Sequence, residues 1–401
     1  MHRGGRPAAL VLVLGLVAFG CAGAQSATGP SASSTSAPAG VRGGPGGPGG
    51  GDGATCAPAP LEQRAARVLV VGLPGVTVSS DPIVADVLGV GVGGFLVTEP
   101  NVESSSQVSQ LVSDLRAVAG RPLVIATGEE SGRVSTFDSL IGSVPPARTL
   151  AARKSPDEVR AVAQEVGSKL AAIGVDVDLA PVVDLDAGPA GAIIGDRSFS
   201  ADPAAAAAYG LAWAQGLDSA GVRPTAKHFP GHGRVSDDTH LGLANIDASL
   251  DDLEATDLKP FADLIGAGVP LVMLDHVAYT ALDPDLPASL SPKAYQLLRQ
   301  MGFQGVAITD SVGMGAVNLR WPFPEAAVLA VTAGADAVLT TDGTQALGMR
   351  DALVEAVRSG RLPEDRLDEA AGRMAALAGD DPQALVCRAV ELPEMGGSSG
   401  R

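Results

Sequence analysis

The chain has 401 residues, of which 46% are hydrophobic, so it can bury a sizeable core in one large domain or two ordinary ones. Its 45 acidic residues outnumber 28 basic ones and give a net charge of -17. No Lys- or Arg-rich run follows the first few residues, which excludes the basic footprint of a nucleic-acid-binding protein. Aromatic residues make up 3%; this argues against a stacking surface for long polymers and favours a short or terminal substrate.

The N-terminus has the pattern of an export signal. Arg3 and Arg6 precede an apolar run from Ala8 to Phe19, which is too short to span a membrane as a helix. The run ends at Cys21 in a sequence that resembles a bacterial lipobox. We therefore predict an exported protein, lipidated at Cys21 and anchored on the outer face of the cell membrane. Simple secretion after cleavage near Ala24 is the alternative.

The residues after the signal are mostly Gly, Pro, Ser, Thr and Ala, which cannot bury enough apolar surface to offset the entropy of ordering. They predict a flexible tether. If Cys21 is acylated, the remaining cysteines are Cys56 and Cys387, at either end of the apolar patterns. In an oxidising compartment these two are expected to form a disulfide, and two separate buried thiols are the alternative.

Eight short apolar runs, each typical of a buried strand, alternate with longer helical segments. The runs are Val68 to Gly72, Gly93 to Val97, Pro122 to Thr127, Val175 to Ala180, Arg223 to His228, Val269 to Asp275, Gly305 to Asp310 and Asp336 to Thr340. The clearest helix start is Ser155-Pro156-Asp157-Glu158, with an N-cap, a first-turn Pro and a Glu that closes the capping box.

Strand and helix alternation with eight repeats predicts a single-domain α/β fold, a TIM-like (β/α)8 barrel. The predicted organisation is a signal peptide at 1–21, the tether at 22–60, the barrel at 61–390 and a flexible tail at 391–401. In such a barrel the catalytic groups lie after the carboxyl ends of the strands. His228 ends the fifth run and Asp310 ends the seventh, so we expect both to face one cavity.

Three of the five histidines lie within thirteen residues, in the segment from Lys227 to His240. Asp238 stands two residues before His240, a spacing that lets a bent loop place the carboxylate against one ring nitrogen and leave the other to shuttle a proton. A solvated loop is the alternative. We predict no metal here, because zinc suits a four-residue His spacing on an unbroken helix, and Pro230 and Gly231 interrupt it.

Asp310 stands at a strand end, followed by small residues, which suits a carboxylate nucleophile; a helix N-cap is the alternative. No Gly-rich phosphate fingerprint follows the first run, so no nucleotide cofactor is indicated. The expected chemistry needs no cofactor of any kind.

Several motifs together resemble glycoside hydrolase family 3, in particular its single-domain β-N-acetylglucosaminidases. They are Leu179-Ala180-Pro181-Val182-Val183-Asp184, Ile194-Gly195-Asp196-Arg197-Ser198-Phe199-Ser200, Lys227 through His240, and Ile308-Thr309-Asp310-Ser311-Val312-Gly313-Met314-Gly315-Ala316. The resemblance covers most of residues 65 to 380.

The resemblance implies a β/α barrel and a retaining mechanism in which Asp310 is the nucleophile. It implies that His240 replaces the usual carboxylic acid as general acid and base, with Asp238 as its partner. It also implies that three residues contact hydroxyls of the terminal sugar: Arg197, Lys227 and His228.

The chain departs from the family pattern after the third strand. The family usually reads Asp-Gln-Glu-Gly-Gly-Arg-Val-x-Arg, and its first Asp and last Arg help to grip the terminal sugar. Here the segment is Gly128-Glu129-Glu130-Ser131-Gly132-Arg133-Val134-Ser135-Thr136, with Gly128 and Thr136 at those two positions. We expect a weaker grip on the sugar, unless Glu129 or Glu130 takes over.

The leading hypothesis is a retaining exo-β-N-acetylglucosaminidase that removes terminal N-acetylglucosamine from peptidoglycan fragments. Its expected partners are a small carbohydrate or muropeptide substrate and, through the lipid anchor alone, a membrane. A sugar-binding lipoprotein with weak or lost hydrolysis is the main alternative, motivated by Gly128 and Thr136. Altered sugar specificity and phosphorolysis are also open.

Overall fold

The computed structural model describes residues 56–235, 239 and 242–396. The predicted signal peptide with Cys21, and the predicted pair Asp238 and His240, lie outside the described residues. Within this part of the chain, no helix combines the length and the apolar character needed to cross a membrane.

Eight parallel strands form the barrel. The strands of the described chain are β1 (Leu69–Gly72), β2 (Gly94–Val97), β3 (Val124–Thr127), β4 (Val177–Asp178), β5 (Arg223–Phe229), β6 (Ala244–Ile246), β7 (Leu271–Leu274), β8 (Val277–Tyr279), β9 (Asp283–Pro287), β10 (Val306–Thr309) and β11 (Val338–Thr340). The order around the barrel is β10-β7-β5-β4-β3-β2-β1-β11. A parallel bridge between Ile308 and Ala337 closes it. The eight strands of the barrel overlap in sequence with the eight predicted apolar runs, which confirms the predicted (β/α)8 barrel.

Helices follow the barrel strands and surround them. They are α1 (Leu61–Arg67), α2 (Pro82–Val90), α3 (Ser105–Ala119), α4 (Asp138–Ile141), α5 (Ala147–Arg153), α6 (Pro156–Ile173), α7 (Pro203–Ser219), α8 (Leu250–Ala255), α9 (Leu258–Gly266), α10 (Pro292–Gln300), α11 (Gly315–Asn318), α12 (Phe323–Ala333), α13 (Ala346–Arg358), α14 (Glu364–Ala378) and α15 (Pro382–Val386). Helix α6 begins as predicted: Ser155 is its N-cap, and Glu158 completes the capping box.

Side chains alternate between two apolar layers along the strands, because successive residues of a strand point to opposite faces. Val70 and Leu96 belong to the cluster inside the barrel, which Met374 and Leu377 of α14 also join. Phe95 belongs to the larger cluster between the strands and the helices. The barrel interior is therefore a packed core rather than a channel, and it leaves the carboxyl ends of the strands for chemistry.

A second, three-stranded sheet lies beside the barrel. Its order is β6-β8-β9, with β6 parallel to β8 and β8 antiparallel to β9. The sequence pattern does not predict this sheet, because its strands are short and β9 reads Asp-Pro-Asp-Leu-Pro, a composition that is depleted in strands.

A disulfide joins Cys56 to Cys387, which are 331 residues apart in sequence. Close to it, the backbone N–H of Ala59 donates a hydrogen bond of 2.9 Å to the carbonyl of Leu385 in α15. These two links hold the last residues of the segment predicted to be a tether against the end of the barrel domain.

Replacing Cys56 and Cys387 together with serine should lower the free energy of unfolding by about 2 to 5 kcal/mol, because the bridge restricts a very long loop of the unfolded chain. Urea unfolding followed by circular dichroism measures this. Reductant should bring the wild type to the stability of the variant and leave the variant unchanged. Equal stability of wild type and variant under oxidising conditions would contradict the role of the bridge.

Candidate active site

A cavity of about 700 Å³ opens at the carboxyl ends of the barrel strands. Gly128 follows β3, Lys227 and His228 belong to β5, and Asp310 follows β10; all of them line this cavity, together with Arg197. The candidate site residues in the described part of the chain therefore meet in one place, as the barrel fold predicts. A cavity of this size can hold a small organic ligand.

Asp310 has an environment that favours its ionised form. Its Oδ1 accepts a hydrogen bond of 2.7 Å from the backbone N–H of Ser311. Burial acts to raise the pKa of Asp310, but nearby basic side chains and this N–H outweigh burial, so the pKa lies below its ordinary value. Those side chains are His276, His228 and Lys227. At neutral pH the carboxylate is therefore ionised, as a nucleophile must be.

Glu130 forms ion pairs with two cations in the cavity wall. Arg197 donates to it through Nε at 2.6 Å and through Nη2 at 2.8 Å, and Lys227 Nζ lies 2.5 Å from Oε1. The three side chains are only 3% to 13% exposed. Burial acts to raise the pKa of Glu130, but Arg197 and Lys227 lower it far below its ordinary value. We call these three residues the ion array.

The two cations come from different parts of the fold. Arg197 ends a 3-10 helix, Gly195–Arg197, in the connection between β4 and α7. Lys227 lies in β5, whose pairing with β7 shifts register between Lys227 and Phe229. Such an irregularity re-aims side chains, and both Lys227 and His228 line the cavity although they are adjacent in a strand.

Asp184 fixes the orientation of His228. Its Oδ2 lies 2.7 Å from His228 Nδ1, and its Oδ1 accepts from the backbone N–H groups of His228 at 3.2 Å and His232 at 2.7 Å. On the other side of the ring, Nε2 lies 3.3 Å from Arg197 Nη2. Because a guanidinium has donors alone, Nε2 accepts in this contact when the ring is neutral, and Nδ1 then carries the proton. The ring thus joins Asp184 to the ion array.

His232 supports the segment that follows β5. Burial, together with the nearby His228, lowers the pKa of His232 to about 4, so its ring is neutral at pH 7. Its Nε2 lies 3.4 Å from the Thr239 hydroxyl, and the Thr239 carbonyl accepts a 2.9 Å hydrogen bond from Ala316. Thr239 is buried and lines the cavity. Across the described residues, no three His, Cys, Asp or Glu side chains are grouped so that they could hold a metal ion.

Two further contacts, made by Tyr279 and Arg234, anchor the segment that follows β5. The Tyr279 hydroxyl lies 3.0 Å from the Gly231 carbonyl and 2.5 Å from Asp275 Oδ2. A phenol has one proton, so both contacts are hydrogen bonds when Asp275 is protonated and donates to Tyr279. Burial raises the pKa of Asp275 well above its ordinary value, which fits this assignment. Arg234 Nε donates to Asp257 at 2.8 Å.

Comparison with known proteins identifies the family. Residues 62–377 match the family model described as the N terminal domain of glycosyl hydrolase family 3. The chain belongs to glycosyl hydrolase family 3. It is a glycoside hydrolase, in agreement with the motifs found in the sequence.

Several known proteins are similar to this chain, by sequence or by their solved structures. Beta-hexosaminidase LpqI of Mycobacterium tuberculosis is 40% identical over 269 residues, 65% of this chain and 69% of that protein. A family 3 glycosyl hydrolase from Mycobacterium smegmatis is 40% identical, with a TM-score of 0.74, covering 80% of this chain and 97% of that one. A family 3 β-N-acetylglucosaminidase from a Paenibacillus species is 32% identical, with a TM-score of 0.77, covering 84% of this chain and 65% of that one.

The two positions where the chain departs from the family pattern contact each other. The Thr136 hydroxyl donates a hydrogen bond of 3.1 Å to the Gly128 carbonyl, so the two departures are one local change. Gly128 lines the cavity, and a Cβ placed on it would meet no heavy atom within 4 Å. On this side the cavity therefore has open space and, at these two positions, no charged group.

Both glutamates of the same segment are already engaged. Glu129 is 1% exposed, and its Oε2 accepts from the Phe137 N–H at 2.9 Å. The backbone N–H of Glu129 donates to Asp178 at 2.8 Å, and burial raises the pKa of both carboxyl groups. The two oxygens of Glu130 bind Arg197 and Lys227. Neither glutamate is therefore available to bind the sugar in place of an Asp at position 128.

Three residues of the site have roles that the sequence analysis did not assign. Glu130 follows β3, Asp184 follows β4, and His276 follows β7. His276 is buried, with Nδ1 2.6 Å from the Ser289 hydroxyl and Nε2 2.9 Å from the Ser311 carbonyl, next to the backbone that carries Asp310. The signal that could have found all three is their position just after a barrel strand.

Replacing Glu130 with glutamine should lower the free energy of unfolding at pH 7 by roughly 3 to 5 kcal/mol, because Arg197 and Lys227 stay buried without a counter-charge. The pKa of Glu130 lies below its ordinary 4.5, so its ionisation stabilises the fold fully above that pH and progressively less as the pH falls through the lowered value. The difference between wild type and variant should therefore stay constant above about pH 6 and shrink as the pH falls below about 4.5 towards about 3.

Glu325→Gln is the matched control for this measurement. Glu325 pairs with Arg361 at 2.5 Å, but these side chains are 39% and 54% exposed, so its loss should cost less than about 1 kcal/mol. Denaturant unfolding of both variants across the pH range gives the comparison. Equal effects of the two substitutions at pH 7 would show that the ion array is not a buried electrostatic unit.

Proposed function

We propose that the protein hydrolyses β-linked N-acetylglucosamine and retains the configuration at the anomeric carbon. The observation that carries the proposal is the ionised carboxylate of Asp310 at the rim of a cavity that the ion array also lines. The substrate class is supported by relatives named beta-hexosaminidase and β-N-acetylglucosaminidase.

In the first step of the proposed reaction, a carboxylate oxygen of Asp310 attacks the anomeric carbon and forms a glycosyl ester. The bond from that carbon to the glycosidic oxygen breaks, and His240 gives the leaving oxygen its proton. In the second step His240 takes a proton from water, the water oxygen attacks the anomeric carbon, and the ester bond between that carbon and Asp310 breaks. The products are the free sugar and a regenerated Asp310 carboxylate.

We assign the proton transfers to His240, with Asp238 as the residue that orients its ring. Imidazole changes protonation near neutral pH, so it can act first as acid and then as base without a hydrophobic pocket around it. Thr239, between these two residues in sequence, is buried and lines the cavity, which supports a place for the pair at this site.

Arg197, Lys227 and His228 are the proposed contacts of the sugar hydroxyls. Each cation of the ion array has more N–H groups than its bonds to Glu130 use, so it can donate to a sugar while it stays paired with Glu130. His228 is held in one orientation by Asp184. Ordered donors of this kind favour a rigid, polyhydroxylated ligand, because little side-chain freedom is lost on binding.

We further propose that the substrates are peptidoglycan fragments outside the cell membrane, and that the protein is anchored there through a lipid on Cys21. The disulfide between Cys56 and Cys387 supports export, since such bonds persist in oxidising compartments. A tethered glycosidase at that location would meet muropeptides and other wall fragments as its nearest β-N-acetylglucosaminides.

Asp310→Asn should abolish turnover of an aryl β-N-acetylglucosaminide while leaving the fold intact, because the amide cannot attack the anomeric carbon. The loss in kcat should be at least about 10³-fold, measured by release of the aryl alcohol. Unchanged turnover in Asp310→Asn would remove the assignment. Sugar binding by a wild type that shows no turnover would instead favour the sugar-binding lipoprotein.

His240→Asn should reduce kcat/KM by roughly 10²- to 10⁴-fold for an aryl glycoside whose leaving group needs a proton. The loss should be much smaller for a dinitrophenyl glycoside, whose leaving group departs without protonation. Comparing the two substrates on one variant controls for its folding. Equal losses on both substrates would contradict the role of His240 as general acid.

A further inference from the structure

Gly128 and Asp310 lie on opposite sides of the barrel rim. Gly128 directly follows Thr127, the last residue of β3, and Asp310 directly follows Thr309, the last residue of β10. In the strand order β10-β7-β5-β4-β3-β2-β1-β11, with β11 closing onto β10, strand β3 is four steps from β10 in either direction. The cavity between them is thus bounded by the nucleophile on one side and by Gly128 on the other.

The chemistry at Asp310 fixes which edge of a sugar faces Gly128. The proposed reaction takes place at C1, so C1 lies next to Asp310. In a six-membered ring C4 is the atom opposite C1. A sugar placed across the rim therefore directs its C4 edge, with the O4 hydroxyl, towards the carboxyl end of β3.

The structure leaves this side of the cavity open. Gly128 has no side chain, and a Cβ there would meet no heavy atom within 4 Å. Thr136 turns its hydroxyl back onto the Gly128 carbonyl at 3.1 Å. Beyond Gly128, the lining of the cavity continues to Val97 and Thr98 at the end of the neighbouring strand β2.

Among the described residues, the charged side chains near this edge are held by other parts of the protein. Arg133 Nε donates to Asp196 at 3.0 Å, and Nη2 donates to the carbonyls of Ile193 at 3.0 Å and Ile194 at 3.1 Å. The carboxylate of Glu130 is taken up within the ion array. Among the described residues that line the cavity, the other carboxylate is Asp310, across the rim. The C4 edge therefore meets no free carboxylate among these residues that would bind a free O4 hydroxyl, and a substituent on O4 can extend into the open space.

We propose that the site accepts an N-acetylglucosamine unit that carries a further sugar on O4. This inference rests on the proposed function and extends it. The enzyme then cleaves the C1 bond of a unit inside a chain, as well as the C1 bond of a terminal unit. Asp310 forms the ester with C1 of that unit, the glycosidic oxygen leaves with a proton, and water releases a disaccharide or longer fragment.

The test uses 4-nitrophenyl β-chitobioside, in which a second N-acetylglucosamine is attached to O4 of the first, with 4-nitrophenyl β-N-acetylglucosaminide as the simple substrate. Direct cleavage at the aryl bond releases nitrophenol and intact chitobiose as the first products. Cleavage from the chain end first releases N-acetylglucosamine and leaves the nitrophenyl monosaccharide. Chromatography of the earliest products separates the two routes, and we expect chitobiose.

A designed variant tests whether the open space beside Gly128 is what allows a sugar on O4 to bind. Gly128→Asp with Thr136→Arg restores the two charged residues of the family pattern. It should reduce direct release of nitrophenol from the chitobioside by about 10- to 100-fold and raise kcat/KM for the simple glycoside by about the same factor, the range that charge-assisted hydrogen bonds supply. Gly89→Asp is the matched control, since Gly89 is exposed in α2 and also has no heavy atom within 4 Å of an added Cβ.

The outcomes separate this inference from the proposed function. Hydrolysis of the simple glycoside, with N-acetylglucosamine as the first product from the chitobioside or with no reaction of the chitobioside, would overturn the inference alone. No hydrolysis of either substrate would overturn both. If the double variant does not fold, as circular dichroism would reveal, the first products of the wild type still decide the question.

Discussion

The buried pairing of one carboxylate with two cations is the interaction on which the site depends. Glu130 holds Arg197, from the connection between β4 and α7, and Lys227, from strand β5. Without that negative charge, the two like-charged groups would share a desolvated wall, an arrangement that costs several kcal/mol. His228 joins the same wall through Arg197 and Asp184. The same ion pairs therefore stabilise this end of the barrel and position the groups that can bind a sugar.

The barrel supplies the second constraint. Parallel strands direct all their carboxyl ends to one rim. The chain can therefore place a nucleophile after β10 and build the ion array from residues after β3, after β4 and within β5, although none of them is close to the others in sequence. Residues 231–234, which follow β5, are held by Asp184, Tyr279 and Asp257. This support from several elements gives the cavity a defined shape before a ligand enters it.

Local patterns in the sequence were enough to predict the barrel and the position of Asp310. Most of the barrel strands are buried along their whole length, so they appear as apolar runs, and Asp310 stands where such a run ends. The exception is β5, which carries Arg223, Lys227 and His228. The ion array was beyond the reach of such patterns, because Glu130 meets Arg197 across 67 residues. The three-stranded sheet was missed since β9 has two prolines. Asp238 and His240 lie outside the described residues, and their roles stay predictions.

Local sequence patterns also revealed that Gly128 and Thr136 differ from the family pattern, but the consequence of this difference becomes visible only in the fold. Their contact with each other, and the position of β3 opposite β10, turn two unusual residues into one open edge of the cavity. An intact nucleophile facing an open edge supports the proposal that the chain keeps the family's chemistry and accepts a different substrate.

The central claim is that Asp310 attacks the anomeric carbon and is displaced by water. Two successive displacements at one carbon restore its configuration, so the stereochemistry of the first product reports the mechanism directly. Proton NMR of the sugar released in the first moments of hydrolysis, before it mutarotates, makes this measurement. The account predicts that the β-anomer appears first and the α-anomer grows in later; initial release of the α-anomer would contradict it.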